Sequence, residues 1–590
     1  DSKSEKLSED RILDDDGSFQ WRVLVCSALS IVVYACQVFS LQLVSRVMNH
    51  WCLPPDSLDN MTLAQWMNAS IPIEEDGSFS RCTIYDRQST AINDSIRRIV
   101  SCGSWYFDLE QYGKTIISEW SLVCNRSWLV PLSSQVIYSG TVFCLPVLGM
   151  AADRIGRRPV VSASVVVLII TGCASALTKS FLFFVVVRFV VMASGGSLTT
   201  FLFVMLYEVT APAKRVLYTT IYLAAAFIVS PIILIPLSLF QVDWMVIYLV
   251  LMMPTSFLVA TFYMVQESPR WLLATWKLKA AEQVTLLAAR TNKTSLDHAL
   301  YCFNKALTRM RGSISDNDVP LTIALIGLLR QPKHQKNAVL LFYACFAIEF
   351  AYAVTVTTEH LVSYDWVPLV SLISSVPLFV GLYFCLVYYG RKKVTVVLIG
   401  LISVKTMVLM FTYCDGEPTL TASVVLLMQH MSCSAAYTAI YIFTMELFPT
   451  VFRCIGVGTA YACGSLGTLL AVQLTKFEAT RLRKDLLLLL TAIVTMVGSL
   501  CLGMLPNTAG TVLFSRQQRS RTEADRKCAL VASLAMKDTV SRKHSTRVKA
   551  HRRGSQALGP PSVSAVLPTQ SVPADGMDLS QGTSISSKHE

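Results

Sequence analysis

A chain of 590 residues that is 53% hydrophobic and only 15% charged carries more apolar surface than one soluble core of that size can cover. This excludes an ordinary soluble globule and requires lipid. The formal net charge of +12 does not indicate a nucleic-acid partner, because Lys and Arg collect on alternate connections between apolar blocks.

The polar residues 1–20 lack the apolar core of a cleaved signal, so the first apolar block is expected to direct insertion itself. There are twelve such blocks, each of about twenty residues, the length a helix needs to cross a bilayer. They occupy 21–44, 129–150, 159–178, 181–207, 216–239, 243–265, 338–358, 366–389, 394–413, 420–445, 455–475 and 485–504. The expected fold is an all-α polytopic membrane protein with twelve transmembrane helices.

Residues 45–128, between the first two blocks, are too many for slack chain and predict a small exported element. Asn60, Asn68, Asn93 and Asn125 stand there in Asn-x-Ser/Thr sequons and are expected to be glycosylated, whereas Asn292, in a cytosolic loop, is expected to be unused. Cys52, Cys82, Cys102 and Cys124 form an even set in an oxidising compartment and predict two disulfides, with three pairings open. The remaining cysteines read as small buried apolar residues, and no Cys or His spacing fits a metal site.

Arg154, Arg157 and Arg158 follow the second block, Lys214 and Arg215 the fourth, Arg391, Lys392 and Lys393 the eighth, and Arg453 the tenth. By the positive-inside rule these connections and both termini are cytoplasmic. Lys476, Arg481, Arg483 and Lys484, before the last block, break the rule. Residues 266–337 form a central cytoplasmic loop, and the Ser-, Arg- and Lys-rich residues 511–590 read as a disordered cytoplasmic tail.

The most specific motif, GMAADRIGRR, joins blocks two and three and supplies Gly149, Asp153, Arg154, Gly156, Arg157 and Arg158. Its glycines suit a tight turn, and its carboxylate needs cationic partners at a membrane boundary. Glu208 ends the fourth block with Arg215 seven residues later, as Glu446 ends the tenth with Arg453 seven later. Gly156 and Gly390 are 234 positions apart and the two glutamates 238, the near-constant offset of a duplicated six-helix unit. This divides the membrane part into bundles 21–265 and 338–510, with Glu–Arg ion pairs at helix ends expected to hold one conformational state.

GMAADRIGRR, MELFPTVFR (445–453) and QESPRWLL (266–273, with Glu267, Ser268, Pro269 and Arg270) resemble motifs of the major facilitator superfamily, sugar porters included. The Cys-bearing loop, opened by HWCLPP and closed by SEWSLVC, narrows the resemblance to the organic cation, organic anion and carnitine transporters of solute carrier family 22, over roughly 21–510. The resemblance implies alternating access. Two six-helix bundles rock about a cavity lined by helices 1, 2, 4, 5, 7, 8, 10 and 11, moving a small organic ion or zwitterion across the plasma membrane with no cofactor or metal. Nothing resembles a phosphate loop or an enzyme motif.

The departures from the family pattern lie mostly in the second half and along the substrate path. Val387 and Tyr388 stand where a second lock needs acid and base, and Asn507 replaces the carboxylate in LPNTAG (505–510). Ser465 occupies the helix-eleven position where cation carriers of the family tend to have Asp and anion carriers Arg. His430 stands for the usual Arg of helix ten, its first-half analogue Arg188 is retained, and Gly196 and Thr199 stand in a segment that relatives furnish with Lys and Trp. These losses motivate an alternative, a transport-deficient surface receptor or binding protein on the same fold.

Against them stands Glu349 near the middle of helix seven, an intramembrane carboxylate and therefore a functional candidate. It is read as attracting a cationic group, taking up a proton or pairing with another helix, with Lys405 a conceivable partner unless that lysine snorkels. His430 is either a titrating or a structural, hydrogen-bonded group. Phe203, Phe350, Tyr352, Tyr437 and Tyr441 are candidates for cation–π contact with an organic cation.

Overall fold

The computed structural model describes residues 16–46, 48–53, 63–74, 77–85, 99–109, 113–311, 332–362, 367–412, 419–478 and 484–506. Asn60, Asn93, Arg481, Arg483, Asn507 and the tail 511–590 lie outside the described residues, as do the side chains of Lys476 and Lys484.

The first half contains α1 (Ser18–Val44), α2 (Leu129–Ile155), α3 (Arg157–Ala176), α4 (Phe181–Val209), α5 (Arg215–Leu239) and α6 (Trp244–Met252). The span of α6 continues through a 3-10 stretch, Met253–Ala260, to Thr261–Met264; Pro254 removes an amide donor and so breaks the regular helix there. The second half contains α7 (Pro332–Val362), α8 (Val367–Tyr388), α9 (Arg391–Thr412), α10 (Leu420–Leu447), α11 (Arg453–Glu478) and α12 (Lys484–Met504).

Among the described residues, eleven helices are long and apolar enough to cross a membrane, one fewer than the twelve expected. The remaining predicted block is α10, a single helix of 28 residues whose middle carries Gln429, His430, Ser432 and Ser434. Those polar groups lower its apolar character, but Gln429, Ser432 and Ser434 are buried against other helices rather than in lipid. Outward-facing positions elsewhere are apolar, as at Ile170, Leu182, Phe183 and Phe411, which suits hydrocarbon.

The two halves meet along α2 and α11. A Cβ on Gly149 of α2 would stand 2.7 Å from the carbonyl oxygen of Cys454, and one on Gly458 of α11 would stand 3.1 Å from that of Leu145. Near the other end of the same crossing, Gln135 Nε2 donates to the Leu469 carbonyl at 3.2 Å. Gly149 therefore lies inside a helix and permits backbone contact rather than forming the expected turn. The turn glycine is Gly156, with φ +131°, where a Cβ would press on the Glu267 carboxylate.

The loop after α1 is folded. Its strands β1 (His50–Cys52) and β4 (Trp105–Phe107) pair antiparallel, as do β2 (Thr83–Tyr85) and β3 (Ile99–Ser101). Of the three possible pairings, the cysteines adopt Cys52–Cys102 and Cys82–Cys124. His50 lies close to Cys82 and Cys124, but the disulfide consumes both thiols and leaves no thiolate for a metal. Asn68 and Asn125 are exposed.

Trp120, from the closing SEWSLVC segment, fastens the loop to the first half. Its ring lies 5.1 Å from Phe184 and 5.2 Å from Trp244, and its Nε1 donates to the Lys179 carbonyl at 3.1 Å.

The described part of the segment between the halves includes the helices Pro269–Ala274, Leu278–Asn292 and Leu296–Arg311. Trp271, Leu272, Leu273, Ala281 and Phe303 form their small core. The Asn292 side chain accepts from the Phe19 amide at 2.8 Å and donates Nδ2 to Gln20 Oε1 at 2.9 Å, so the nitrogen a glycan would need is engaged. The face where α1 begins is termed the lock face below, and the opposite one the loop face.

A charged lock and a central cavity

At the lock face, GMAADRIGRR ends α2 and begins α3. This puts Asp153 on the last turn of one helix and Arg157 on the first turn of the next. Arg157 is fully buried and ion-pairs with Glu208 at the end of α4; it also reaches Asp153 at 3.5 Å and donates to the Thr450 carbonyl of the second half at 2.6 Å. Glu208 takes a second cation from across the interface, Arg453 of α11, at 2.6 Å. Asp153 accepts the backbone amides of Cys454 and Ile455 at 3.3 and 2.9 Å, so the carboxylate sits on the first turn of α11, where helix amides lack partners. One acidic and one basic side chain from α2 and α3 thereby fasten the opposite half.

Glu267 closes the cluster from the connection after α6. Its carboxylate accepts the Arg158 amide at 3.0 Å and the Ser268 amide at 3.1 Å. Burial pushes this carboxyl above its usual range, against the two amides and the Arg157 charge, which pull it down. Trp271 Nε1 donates to the Asp153 carbonyl at 3.3 Å and its ring lies under Arg157, so the central helices are tied to the same cluster. Arg270 is half-buried in the first turn of its helix, and Arg154 is exposed.

The expected pairs within each repeat do not form. Glu208 pairs across space with Arg157 and Arg453, while Arg215 turns to the Thr210 carbonyl and the Tyr207 ring. Glu446 pairs with Arg391 at the start of α9 instead of Arg453, and Lys392 donates to the Leu505 carbonyl. The second half thus has an acid–base pair despite Val387 and Tyr388, which are exposed. Arg188 is no part of the lock: buried in α4, it donates to the side chain and carbonyl of Gln37 and lies 4.5 Å from the Tyr248 ring.

Between the halves lies a cavity of about 150 Å³ that extends toward the loop face, where Gln42, Thr357 and Val472 line it. Of the expected path residues, Thr199, Glu349, Tyr352, Tyr437 and Ser465 line it. Phe203, Phe350, Tyr441 and His430 do not. Phe203 is buried in a stack 4.7 Å from Tyr222, and Phe350 packs on Phe346. His430 is half-buried with its ring 5.6 Å from that of Tyr352 and at right angles to it, and Tyr441 reaches the site through its hydrogen bond to Glu349.

Glu349 is the one charged side chain among the described lining residues. Tyr441 donates to its Oε1 at 2.6 Å, and Thr468 of α11 donates to Oε2 at 3.3 Å. Gly464 packs on the carboxylate, where a Cβ would meet Oε1. Lys405 is not its partner: it donates to Ser432 and to the Met428 carbonyl of α10. Ser465, the neutral residue of α11, therefore stands beside a carboxylate contributed by α7.

Aromatic rings surround this acid. Tyr441 and Tyr461 stack at 3.9 Å, Tyr437 meets Tyr441 at 4.6 Å, and Phe227 of α5 meets Tyr437 at 5.7 Å and Tyr352 at 6.0 Å. Tyr34, Phe227, Tyr461, Gly464 and Thr468 were not singled out from the sequence. The signal for three of them was present as a stripe of small and polar residues at helical spacing on α11, Tyr461, Gly464, Ser465 and Thr468.

The profile of the Major Facilitator Superfamily matches residues 130–388. The "Beta-alanine transporter" of Drosophila melanogaster is 25% identical over 500 residues, covering 78% of this chain and 80% of its own. "Organic cation/carnitine transporter 2" of Homo sapiens is 24% identical over 529 residues, covering 85% and 91%. "Solute carrier family 22 member 4" of Mus musculus is 25% identical over 477 residues, covering 78% and 84%. Among solved structures, the proton:xylose symporter XylE superposes with a TM-score of 0.57 at 13% identity, covering 84% of this chain and 97% of that one. XylE from E. coli in a partially occluded inward-open conformation gives 0.51 at 13% identity, covering 83% and 100%. The chain is a membrane transporter with the fold of the major facilitator superfamily, and its sequence is similar to those of the organic cation and carnitine transporters of solute carrier family 22.

Proposed function

We propose that this protein carries a small organic cation across the plasma membrane by alternating access, with Glu349 as the counter-charge for the substrate's ammonium group. The observation that carries the reading is that Glu349 alone among the described lining residues is charged, and that it is walled by tyrosines. A carboxylate attracts an ammonium group, and aromatic faces hold its alkyl substituents by cation–π contact. A zwitterion, by contrast, would meet hydroxyls and an amide but no described cation with which to pair its carboxylate.

On this reading the lock face is cytoplasmic and the disulfide-bonded loop extracellular, in keeping with the basic residues of GMAADRIGRR and the sequons after α1. The residues 16–20 and the central helices share the lock face, which supports a cytoplasmic N-terminus and central segment. The alternative of a transport-deficient receptor drew on a degraded second lock. The Arg391–Glu446 pair removes much of that motive.

The test is tracer uptake in cells at verified surface display, with matched cationic, zwitterionic, anionic and neutral compounds and with Glu349→Gln alongside. Saturable uptake of the cation, lost in the variant at equal display, is expected. Preferential uptake of an anion, or cation uptake indifferent to Glu349→Gln, would overturn the assignment.

A further inference from the structure

Lys405 is a cation inside a membrane span that the transport reading does not use. It is half-buried on α9, and its Nζ crosses to α10, where it donates to the Met428 carbonyl at 3.0 Å and to the Ser432 hydroxyl. Cys433 lies behind it, and on the buried side of the same seam Gln429 donates Nε2 to Thr406 Oγ1 at 2.8 Å. All of these contacts are neutral. Neither α8 nor α9 contains Asp or Glu; α10 contains Glu446, at the lock face and paired with Arg391; α12, also packed on α9, contains Asp485, at its loop-face end. Lys405 forms no ion pair among the described residues.

Its depth follows from the helix lengths. At 28 residues α10 is about 42 Å long, more than the ~30 Å hydrocarbon core, so about 6 Å of it emerges at each face. Lys405 lies seven residues from the loop-face end of α9 and Met428 eight from that of α10, which places the ammonium about 10–12 Å below those ends and about 5 Å inside the core edge. A lysine at that depth ordinarily extends its stem toward water. This one turns sideways, and the outer surface around it is apolar: Leu401 and Val397, one and two turns deeper on α9, and Met428 on α10 are exposed. A charge beside hydrocarbon without a counter-ion is costly, and the material that covers this surface is lipid, so the lipid is the nearest source of an anion.

We infer that the seam between α9 and α10 binds a long-chain fatty acid, whose carboxylate pairs with Lys405 and whose single chain lies along Leu401 and Val397 toward the bilayer centre. Depth and leaflet select this lipid. A fatty-acid carboxylate floats at the level of the acyl carbonyls, beside the core edge, whereas a phospholipid phosphate stands further out. Acidic phospholipids also concentrate in the cytoplasmic leaflet, and this site opens to the other one. The assignment rests on the orientation proposed above, with the loop face extracellular, and is independent of the charge of the carried substrate.

The experiment uses the purified full chain in phosphatidylcholine nanodiscs, with palmitic acid carrying a mid-chain diazirine as the probe and peptide mass spectrometry to locate the cross-link. Label is expected near Val397 and Leu401, displaced by oleate but not by methyl oleate, and reduced about tenfold or more in Lys405→Met. Lys405→Arg keeps the charge and should keep the label, which separates loss of the ion pair from a fault in folding. Label spread over all lipid-facing helices, or label indifferent to Lys405→Met, would show lipid solvation only and overturn the site. Displacement by phosphatidylserine rather than oleate would overturn the fatty acid as its occupant. Orientation is read separately, from antibody binding to an epitope inserted beside Asn68 in intact cells; binding only after permeabilisation would overturn the orientation, and the leaflet argument with it.

Discussion

Replacing Glu208 by Gln tests the lock where its charges are most concentrated. The carboxylate is buried and serves Arg157 from its own half and Arg453 from the other. Without it Arg157 keeps the Thr450 carbonyl and Asp153, whereas Arg453 loses its carboxylate partner and keeps the Phe448 carbonyl at 3.2 Å and the Tyr207 ring at 5.5 Å. Removing one member of a buried ion pair costs about 3–5 kcal/mol, and because the amide oxygen can still accept, the lower end applies, about 3 kcal/mol. That cost falls on the closed lock and not on a state in which the arginines reach water. The equilibrium should therefore shift by about a hundredfold toward opening at the lock face.

Cys454 is the reporter for this shift. It is buried in the closed interface, its amide on Asp153 and its carbonyl over Gly149. Alkylation of Cys454 by a membrane-permeant maleimide, resolved by peptide mass spectrometry, should be at least about tenfold faster in Glu208→Gln than in wild type. An unchanged Cys454 rate in a variant that remains monodisperse would refute the claim that these charges hold the face shut.

Two further outcomes follow from the packing. Gly149→Val should abolish most uptake at normal surface display, because a Cβ there meets backbone atoms of α11 at 2.7–3.0 Å, whereas Gly503→Ala, with nothing within 4 Å, should be silent; equal uptake by both would remove the close crossing from the mechanism. Replacing Cys82 and Cys124 together by Ser releases a closure of 42 residues, for which the chain-entropy argument gives about 4 kcal/mol, and should cut the surface-biotinylated fraction at least by about half. Wild-type surface levels in that double variant would show that the loop folds without the bridge.

Much of this was legible in the residues themselves. The apolar blocks, the Cys-bearing loop with its two disulfides and the GMAADRIGRR connection each report a local physical requirement, and the structure realises all three. The repeat offset located Glu208 and Glu446 as lock residues but misassigned their partners, because a matched spacing in two repeats says nothing of which repeat supplies the cation. The cavity was half legible. Glu349 stood out because an acid in hydrocarbon is costly, whereas choosing among the aromatic residues required knowing how each helix is rotated: Phe203 and Phe350 turn into helix packing, and Tyr34, Phe227 and Tyr461 turn to the cavity.

The sequence by itself determined the spans, their order and the class of fold, since bilayer thickness imposes a length that each block of residues satisfies on its own. Only the tertiary structure decided which cysteines join, which charges cross the interface and which side chains surround Glu349. Those contacts link residues as far apart as Glu208 and Arg453, 245 positions, and the near-uniform apolarity of helices in a membrane leaves little in the local pattern to mark the face that turns inward.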